Sequence, residues 1–286
     1  MDKKDLFYIQ CGATPPERIN TTPFFGKKKR KLPWKVDLRN KLLPAYSQGP
    51  LGSCTANATA GLLQFHLWNI LPVHRRPSRL YLWYYAKVDS DEPDPRANRG
   101  CPTDSPLKAA KKGACREEDY WPYEPENWVV KNPDTDKEEI LQKVPSDEAQ
   151  AHADIYIDDY AELSVRPLLD IRTALAKRQP VAAGFMVLKY FHEVRKNNST
   201  VRMPNLPDDG EGGGHAMLIV GYDDREKLLI IRNSWSERWG DDGYCYLPYA
   251  YCKVKITHRE NKKKYPGLLD AYTCAQSQVH DRAQHP

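Results

Sequence analysis

Apolar and polar positions follow two different rhythms along this chain. Between Thr55 and Trp68, Ala56, Ala60, Leu63 and Leu67 recur at steps of three and four. That spacing lines one face of a helix. Ser53, a good N-cap type, stands just before it, and Leu71-Pro72 ends it. A second helical stretch runs through Leu80 to Ala86. A short one spans Pro106 to Lys112 and is closed by Gly113. The prolines and aspartates of residues 89–106 mark a surface loop between them. Residues 124–150 are polar and proline-rich and read as a crossing between two halves. After a helical pattern at 166–178, stopped by Pro180, the rhythm changes to strands. Val181–Val187, Ala216–Tyr222, Leu228–Arg232 and Gly243–Leu247 are short apolar runs. The polar turn Asp223 to Lys227 should join the second and third as a hairpin. The layout is a helical half followed by a β half, without internal repeats.

The two ends of the chain differ from this pattern. The first thirty-odd residues carry Pro15-Pro16, Pro23 and the basic run Lys27-Lys28-Lys29-Arg30-Lys31. Prolines block helix and like charges repel, so extended or loop structure is expected there. Compact structure is expected to begin near Trp34. Residues 253–286 are polar and basic and are expected to form a partly loose tail.

The chain has 286 residues, 40% hydrophobic and 28% charged. It can bury a core, as one large domain or two small ones sharing an interface, and disorder along most of its length is excluded. No stretch approaches the roughly 20 apolar residues of a membrane span, so no membrane contact is expected. The N-terminal residues lack the apolar core of an export signal. That speaks for the cytoplasm, with a virion also open. The net charge of +5 is mild, and composition alone does not point to nucleic acid. Seven cysteines leave at least one unpaired, and a reducing compartment is the default.

Three segments carry chemistry. Gln48-Gly49-Pro50-Leu51-Gly52-Ser53-Cys54 places a thiol at the first turn of the long helix. The partial positive charge and unpaired amides of a helix N-terminus favour a thiolate, which is the nucleophilic form. Gly49 and Gly52 let the backbone come close to whatever sits beside the sulfur. The Gln48 amide suits donation to a developing oxyanion. Gly212-Gly213-Gly214-His215 delivers an imidazole at the mouth of a strand. Asn233, in Arg232-Asn233-Ser234-Trp235, follows the next strand. The hairpin should bring His215 and Asn233 to the same end of the sheet. There an amide can orient an imidazole that takes a proton from a thiol.

These motifs, QGPLGSC, GGGHAMLIVGY and IRNSWSERWGDDGY, resemble those of the papain-like cysteine peptidases over roughly residues 35–252. The resemblance is closest in flavour to bacterial and giant-virus cathepsin-like members. It implies an α+β fold of two lobes, with a helical lobe at about 54–125, a β-barrel-like lobe at about 150–250 and the active-site cleft between them. It implies a domain of residues 34–252 that hydrolyses peptide bonds through a thioester. Cys54 would be the nucleophile and His215 the base and then the acid. Asn233 would orient His215. Gln48 and the Cys54 amide would form the oxyanion hole, and Trp235 would shield the His–Asn bond. Gly100 would bind substrate backbone. Gly184 and Gly214 would line a roomy pocket for the second residue before the scissile bond. Leu51 stands where the family has a cysteine, so the usual disulfide cannot form. Arg99-Gly100 stands where the family has a glycine pair. No histidine pair of the kind that makes a carboxydipeptidase is present, so an endopeptidase is expected.

Plainer readings exist for several features. A lone cysteine after Gly-Ser is most often a core residue. Gln48, His215 and Asn233 in the family's order argue against that for Cys54. Trp235 and Trp239 also suit a core, and His66 and His74 suit packing or the surface. Cys11, Cys101, Cys115, Cys245, Cys252 and Cys274 show no metal-ligand spacing, and no metal or organic cofactor is expected. The run from Lys27 to Lys31 reads as a polyanion contact, as a cleavage site releasing a short prosegment, or as a solvated charge cluster. In the prosegment reading, residues 1–33 cover the cleft with Phe24-Phe25. A monomer acting on protein or peptide substrates is expected. The alternative function is a catalytically silent protein of the same fold that holds peptides or polyanions.

Overall fold

The computed structural model describes residues 31–70, 75–117, 119–124, 127–131, 138–163 and 167–282. The segment before Lys31, with most of the basic run, lies outside the described residues, as do His74 and Leu71-Pro72. Five α-helices are described: α1 (Cys54–Ile70), α2 (Arg79–Val88), α3 (Ser105–Lys112), α4 (Asp147–Ala151) and α5 (Pro167–Ala176). The strands are β1 (Lys35–Asp37), β2 (Val129–Lys131), β3 (Glu138–Ile140), β4 (Ile155–Ile157), β5 (Ala161–Glu162), β6 (Val181–Val187), β7 (Gly213–Asp223), β8 (Leu228–Arg232), β9 (Tyr244–Pro248), β10 (Lys255–Thr257), β11 (Lys264–Pro266), β12 (Leu268–Thr273) and β13 (Val279–Asp281).

Helix α1 departs from the one-faced helix expected of its sequence. Every residue from Cys54 to Leu67 is buried, Asn57, Gln64 and His66 included. Its first turns carry Thr, Ala, Asn and Gly, whose small side chains let neighbouring elements close in from all sides. At Gly61 an added Cβ would sit 2.9 Å from the Arg232 guanidinium and 3.1 Å from Leu218. Burial pushes the His66 imidazole down to about 4, so it packs as a neutral ring. Helix α2 begins where the Ser78 hydroxyl accepts the Tyr81 amide. Helix α3 ends at Gly113, whose φ of 129° lets the chain turn tightly against Ala153. These three helices pack on one another to form the helical lobe.

The β lobe is built on a seven-stranded sheet in the order β5-β12-β6-β7-β8-β9, with β1 added along β7. All its pairings are antiparallel. The expected hairpin joins β7 and β8. Asp223 Oδ1 accepts the amides of Arg225 and Glu226, and Lys227 takes the left-handed conformation. Strand β6 is buried along its whole length.

The stretch from Lys253 is not the loose tail its composition suggested. It forms β10 to β13, and β12 runs between β5 and β6 as an inner strand of the main sheet. Leu268, Ala271, Tyr272 and Cys274 are core residues. Lys262 and Lys263, in the loop before β11, and Lys264, which opens β11, mask the buried strand in the composition without belonging to it. The boundary of the β lobe also moves. Strand β4 pairs with β13, and Ile155 bridges to Ala114 just after α3, so residues 155–157 and 279–281 lie against the helical lobe. Conversely, β1, ahead of the helical lobe in sequence, pairs with β7 of the β lobe. Each lobe is thus strapped by a strand from the far end of the chain.

Candidate active site

Cys54 is the first residue of α1 and is fully buried. The loop that delivers it turns at Gly49, whose φ of +56° favours glycine. Asn98, from the loop expected only to be a surface loop, clamps this turn. Its side chain accepts the Gly52 amide at 2.8 Å and donates to the Pro50 carbonyl at 3.1 Å. Ser53 does not act as a simple cap. Its hydroxyl pairs with the Tyr123 hydroxyl at 2.7 Å and accepts from Asn57 Nδ2. Behind it, a buried ion pair joins Arg79 of α2 to Glu117 at 2.7 Å. Arg79 also donates to the Asn57 side chain and to the Ser47 carbonyl, and lies over the rings of Tyr46 and Tyr123. The guanidinium therefore ties α2 and α1 to the segment that precedes Gln48.

The sheet supplies the second half. His215 lies near the start of β7 and Asn233 just beyond β8, and the pairing of Leu218 with Arg232 sets them at one end of the hairpin. His215 Nε2 stands 2.7 Å from Asn233 Oδ1. The Ser234 amide donates to the same oxygen at 2.8 Å, which fixes it as the acceptor. His215 Nε2 must therefore carry the proton, and in the neutral ring Nδ1 is left as the basic nitrogen. Both residues are buried, which strengthens the bond.

Gln48 joins this group through a residue that sequence reasoning missed. The Ser234 hydroxyl donates to Gln48 Oε1 at 2.6 Å, and the Gln48 amide nitrogen in the backbone donates to the Ser234 carbonyl at 2.9 Å. Gln48 Nε2 gives one hydrogen to the Leu51 carbonyl at 2.7 Å. A primary amide has a second hydrogen to offer. The only sequence signal for Ser234 was its place between Asn233 and Trp235. Nothing in the sequence singled out Asn98.

The Trp235 ring stacks on His215 at 4.9 Å and meets Trp239 edge-on at 5.4 Å. Its closest ring contact is one that was not expected, His192 at 4.4 Å and nearly parallel. Burial, with smaller contributions from His215 and Arg259 nearby, pushes the His192 imidazole down to about 4. Gly184 and Gly214 are buried in β6 and β7, and Gly100 is half-buried beside Cys101. Cys101 Sγ lies 3.0 Å from the hydroxyl of Thr55, which follows Cys54 in sequence. Burial pushes the thiols of Cys101, Cys115 and Cys252 up to about 12, and those of Cys245 and Cys274 higher still. Those five cysteines are protonated core residues. The six described cysteines form no disulfide. Among the described residues no cluster of three His, Cys, Asp or Glu could hold a metal, and no helix is long and apolar enough to cross a membrane.

The helix that begins at Cys54 and the sheet that carries the hydrogen-bonded His215–Asn233 pair belong to two lobes. Residues 32–262 match the family model described as papain family cysteine protease, and the chain belongs to that family. It is 33% identical over 258 residues to an uncharacterized peptidase C1-like protein of Acanthamoeba polyphaga mimivirus, covering 87% of this chain and 76% of the relative. It is 24% identical over 243 residues to mouse cathepsin K, covering 82% of this chain and 65% of that protein. Among solved structures, xylellain, a cysteine protease from Xylella fastidiosa, superposes with a TM-score of 0.67 at 28% identity, over 92% of this chain and 96% of the other. Digestive procathepsin L 3 of Tenebrio molitor shares the fold, with a TM-score of 0.65 at 19% identity, over 96% of this chain and 79% of that one. The chain is a papain-like cysteine peptidase with an α+β, two-lobe fold.

Proposed function

We propose that this peptidase is an endopeptidase working through Cys54, His215, Asn233 and Gln48, and that the chain described is latent. The observation that carries the reading is the hydrogen-bonded series His215–Asn233–Ser234–Gln48, set against the helix that begins at Cys54. Cys54 Sγ attacks the peptide carbonyl carbon as its proton passes to His215 Nδ1. The oxyanion takes the second hydrogen of the Gln48 amide and the Cys54 backbone N–H. Collapse expels the amine, which leaves with the proton from His215, and a thioester remains. Water, deprotonated by His215, then releases the acid. Asn233 holds the imidazole in the tautomer this requires, and Trp235 covers their bond. Gly100, Gly184 and Gly214 bind the substrate.

Complete burial of Cys54 and His215 supports latency, since neither meets solvent. In this reading residues 1–33 cover the cleft. The lack of disulfides among the six described cysteines supports a reducing compartment, the cytoplasm or a virion. The intact set of four residues weighs against a silent binding protein. The test is cleavage of fluorescent casein with a thiol reductant present, comparing the full chain, Cys54→Ala and a chain lacking residues 1–33. Turnover that persists in Cys54→Ala sinks the catalytic reading. Equal turnover with and without residues 1–33 sinks latency alone.

A further inference from the structure

A small cavity, about 10 Å³, lies beside Asn233 at the seam of the two lobes. That is room for one body the size of a water molecule. Helix α1 contributes Asn57 to its wall, β7 contributes Met217 and its neighbours, and the segment before Gln48 contributes Tyr46. Arg232, Asn233 and Ser234 close it from the end of β8. Three of these residues each hold a buried polar atom without a hydrogen-bond partner: the Tyr46 hydroxyl, Arg232 Nε and Asn233 Nδ2. The residues themselves are 5%, 3% and 2% exposed.

The three atoms share one property. Arg232 Nε and Asn233 Nδ2 can only donate, and the Tyr46 hydroxyl has a hydrogen to give. Asn233 cannot turn over to offer an acceptor, because its oxygen is committed to His215 and to the Ser234 amide. The other polar side chains of the wall have their hydrogens engaged. Asn57 Nδ2 donates to the Ser53 carbonyl and hydroxyl, and the Ser234 hydroxyl donates to Gln48 Oε1. Charge points the same way. Two guanidinium groups lie over the Tyr46 ring, Arg232 at 4.2 Å and Arg79 at 4.5 Å. Glu117 neutralises Arg79. Arg232 donates to the carbonyls of Leu43 and Pro44 and has no carboxylate partner among the described residues. Burial raises the hydroxyls of Tyr46 and Tyr244 above the usual tyrosine value, so neither ionises to balance it. A buried guanidinium without a counter-charge is costly, and a water molecule would fill the space without balancing that charge.

We propose that this cavity is an anion site, in which Tyr46, Arg232 and Asn233 hold one monovalent ion of halide size, chloride under ordinary conditions. The ion accepts the hydrogens of all three atoms and supplies the negative charge that Arg232 lacks. Hydrogen bonds to an ion are stronger than those to a neutral partner. A phosphate or a carboxylate is too large for the space. The ion clasps the segment before Gln48 to the end of β8, across the seam of the lobes. It also holds Asn233 by its amide nitrogen, on the side away from the oxygen that meets His215. Binding and stability do not depend on the peptidase reading. Where that reading holds, the ion is a positioning group that acts on the His215 ring through Asn233.

The test is thermal melting of the full-length protein, dialysed into sodium gluconate and titrated with chloride or bromide at constant ionic strength. The variant is Tyr46→Phe, whose lost hydroxyl has no protein partner to strand. The unaltered protein should melt about 2–5 °C higher in about 0.2 M chloride or bromide than in gluconate. Tyr46→Phe should melt no lower than the unaltered protein in gluconate, which verifies its fold. It should need about tenfold more halide for the same rise. Anomalous diffraction from crystals grown in bromide should place one ion within hydrogen-bond distance of the three donors. Equal melting in halide and gluconate means that a water molecule fills the cavity, and overturns the proposal. A rise that Tyr46→Phe leaves unchanged, or bromide found only elsewhere, puts the ion at another site and overturns it too. A halide-dependent rise in a chain without peptide turnover keeps the anion site and rejects the peptidase reading alone.

Discussion

The two lobes position their halves of the site by opposite means. In the helical lobe the critical group sits at the end of one element. Cys54 is placed by where α1 begins, after the Gln48 to Ser53 loop that Asn98 and Tyr123 brace. In the β lobe nothing local suffices. His215 and Asn233 meet only because β7 and β8 pair in one register, and that register is held by β1, β6, β9 and the C-terminal β12. A helix start is specified within a few residues, whereas a sheet position depends on every strand beside it. Cys54 is thus tied to local structure and His215 to the whole fold. Damage to the two halves should differ in kind.

The largest effect belongs to the thiol. Cys54→Ala should lower peptide turnover by about 10⁴-fold or more while leaving thermal stability within roughly 1 kcal/mol. Loss of stability comparable to a core mutant would mean that Cys54 is a packing residue. Next comes the link between the lobes. Gln48→Ala should cost about 10²–10³-fold in kcat. Ser234→Ala removes only the tether on Gln48 and should cost about tenfold, because the Asn233–His215 bond is held separately by the Ser234 amide. Steady-state kinetics on both, with equal losses as the adverse outcome, would show whether Ser234 acts through Gln48.

Stability separates the lobes further. Glu117→Ala strands the Arg79 guanidinium in the helical lobe and should destabilise by about 3–5 kcal/mol. Gly61→Ala drives a methyl against Arg232 and Leu218 at the seam and should cost about 1–3 kcal/mol. Denaturant unfolding measures both. A neutral Gly61→Ala would show that the seam yields more easily than either lobe.

The smallest effect is the one with a pH signature. Asp270 has a folded-state carboxyl raised from the usual value near 4 to about 6. Between those values the folded state holds a proton that the unfolded chain has lost. This group therefore favours folding at low pH and opposes it increasingly as pH climbs from about 4 to 6. Asp270→Asn should melt higher than the unaltered protein at pH 8 by an amount on the order of 1–3 kcal/mol, with the gap closing at pH 4. A lower melting point at pH 8 would mean that the carboxylate stabilises the sheet.

Much of the site was legible. Cys54, His215 and Asn233 stand in short motifs with a chemical logic, and the strands that carry the latter two are plain apolar runs. Ser234, Asn98 and His192 were not legible, because each matters through a partner distant in sequence. Asn98 reaches back to Gly52, and His192 meets Trp235 across the lobe. The C-terminal stretch was misread for a related reason. Its average composition is polar, while the six residues of β12 are placed in the core by strands more than 80 residues earlier.

The amino-acid order alone thus determined the helix that begins at Cys54, the hairpin that carries His215 and Asn233, and the reaction class, since these depend on periodicity, turn chemistry and local motifs. Only the tertiary structure decided the tautomer of His215, the tie from Gln48 to Asn233 and the burial of Asp270 behind Gly184. Each of those depends on which surfaces meet when two lobes close, and that information is spread over the whole chain.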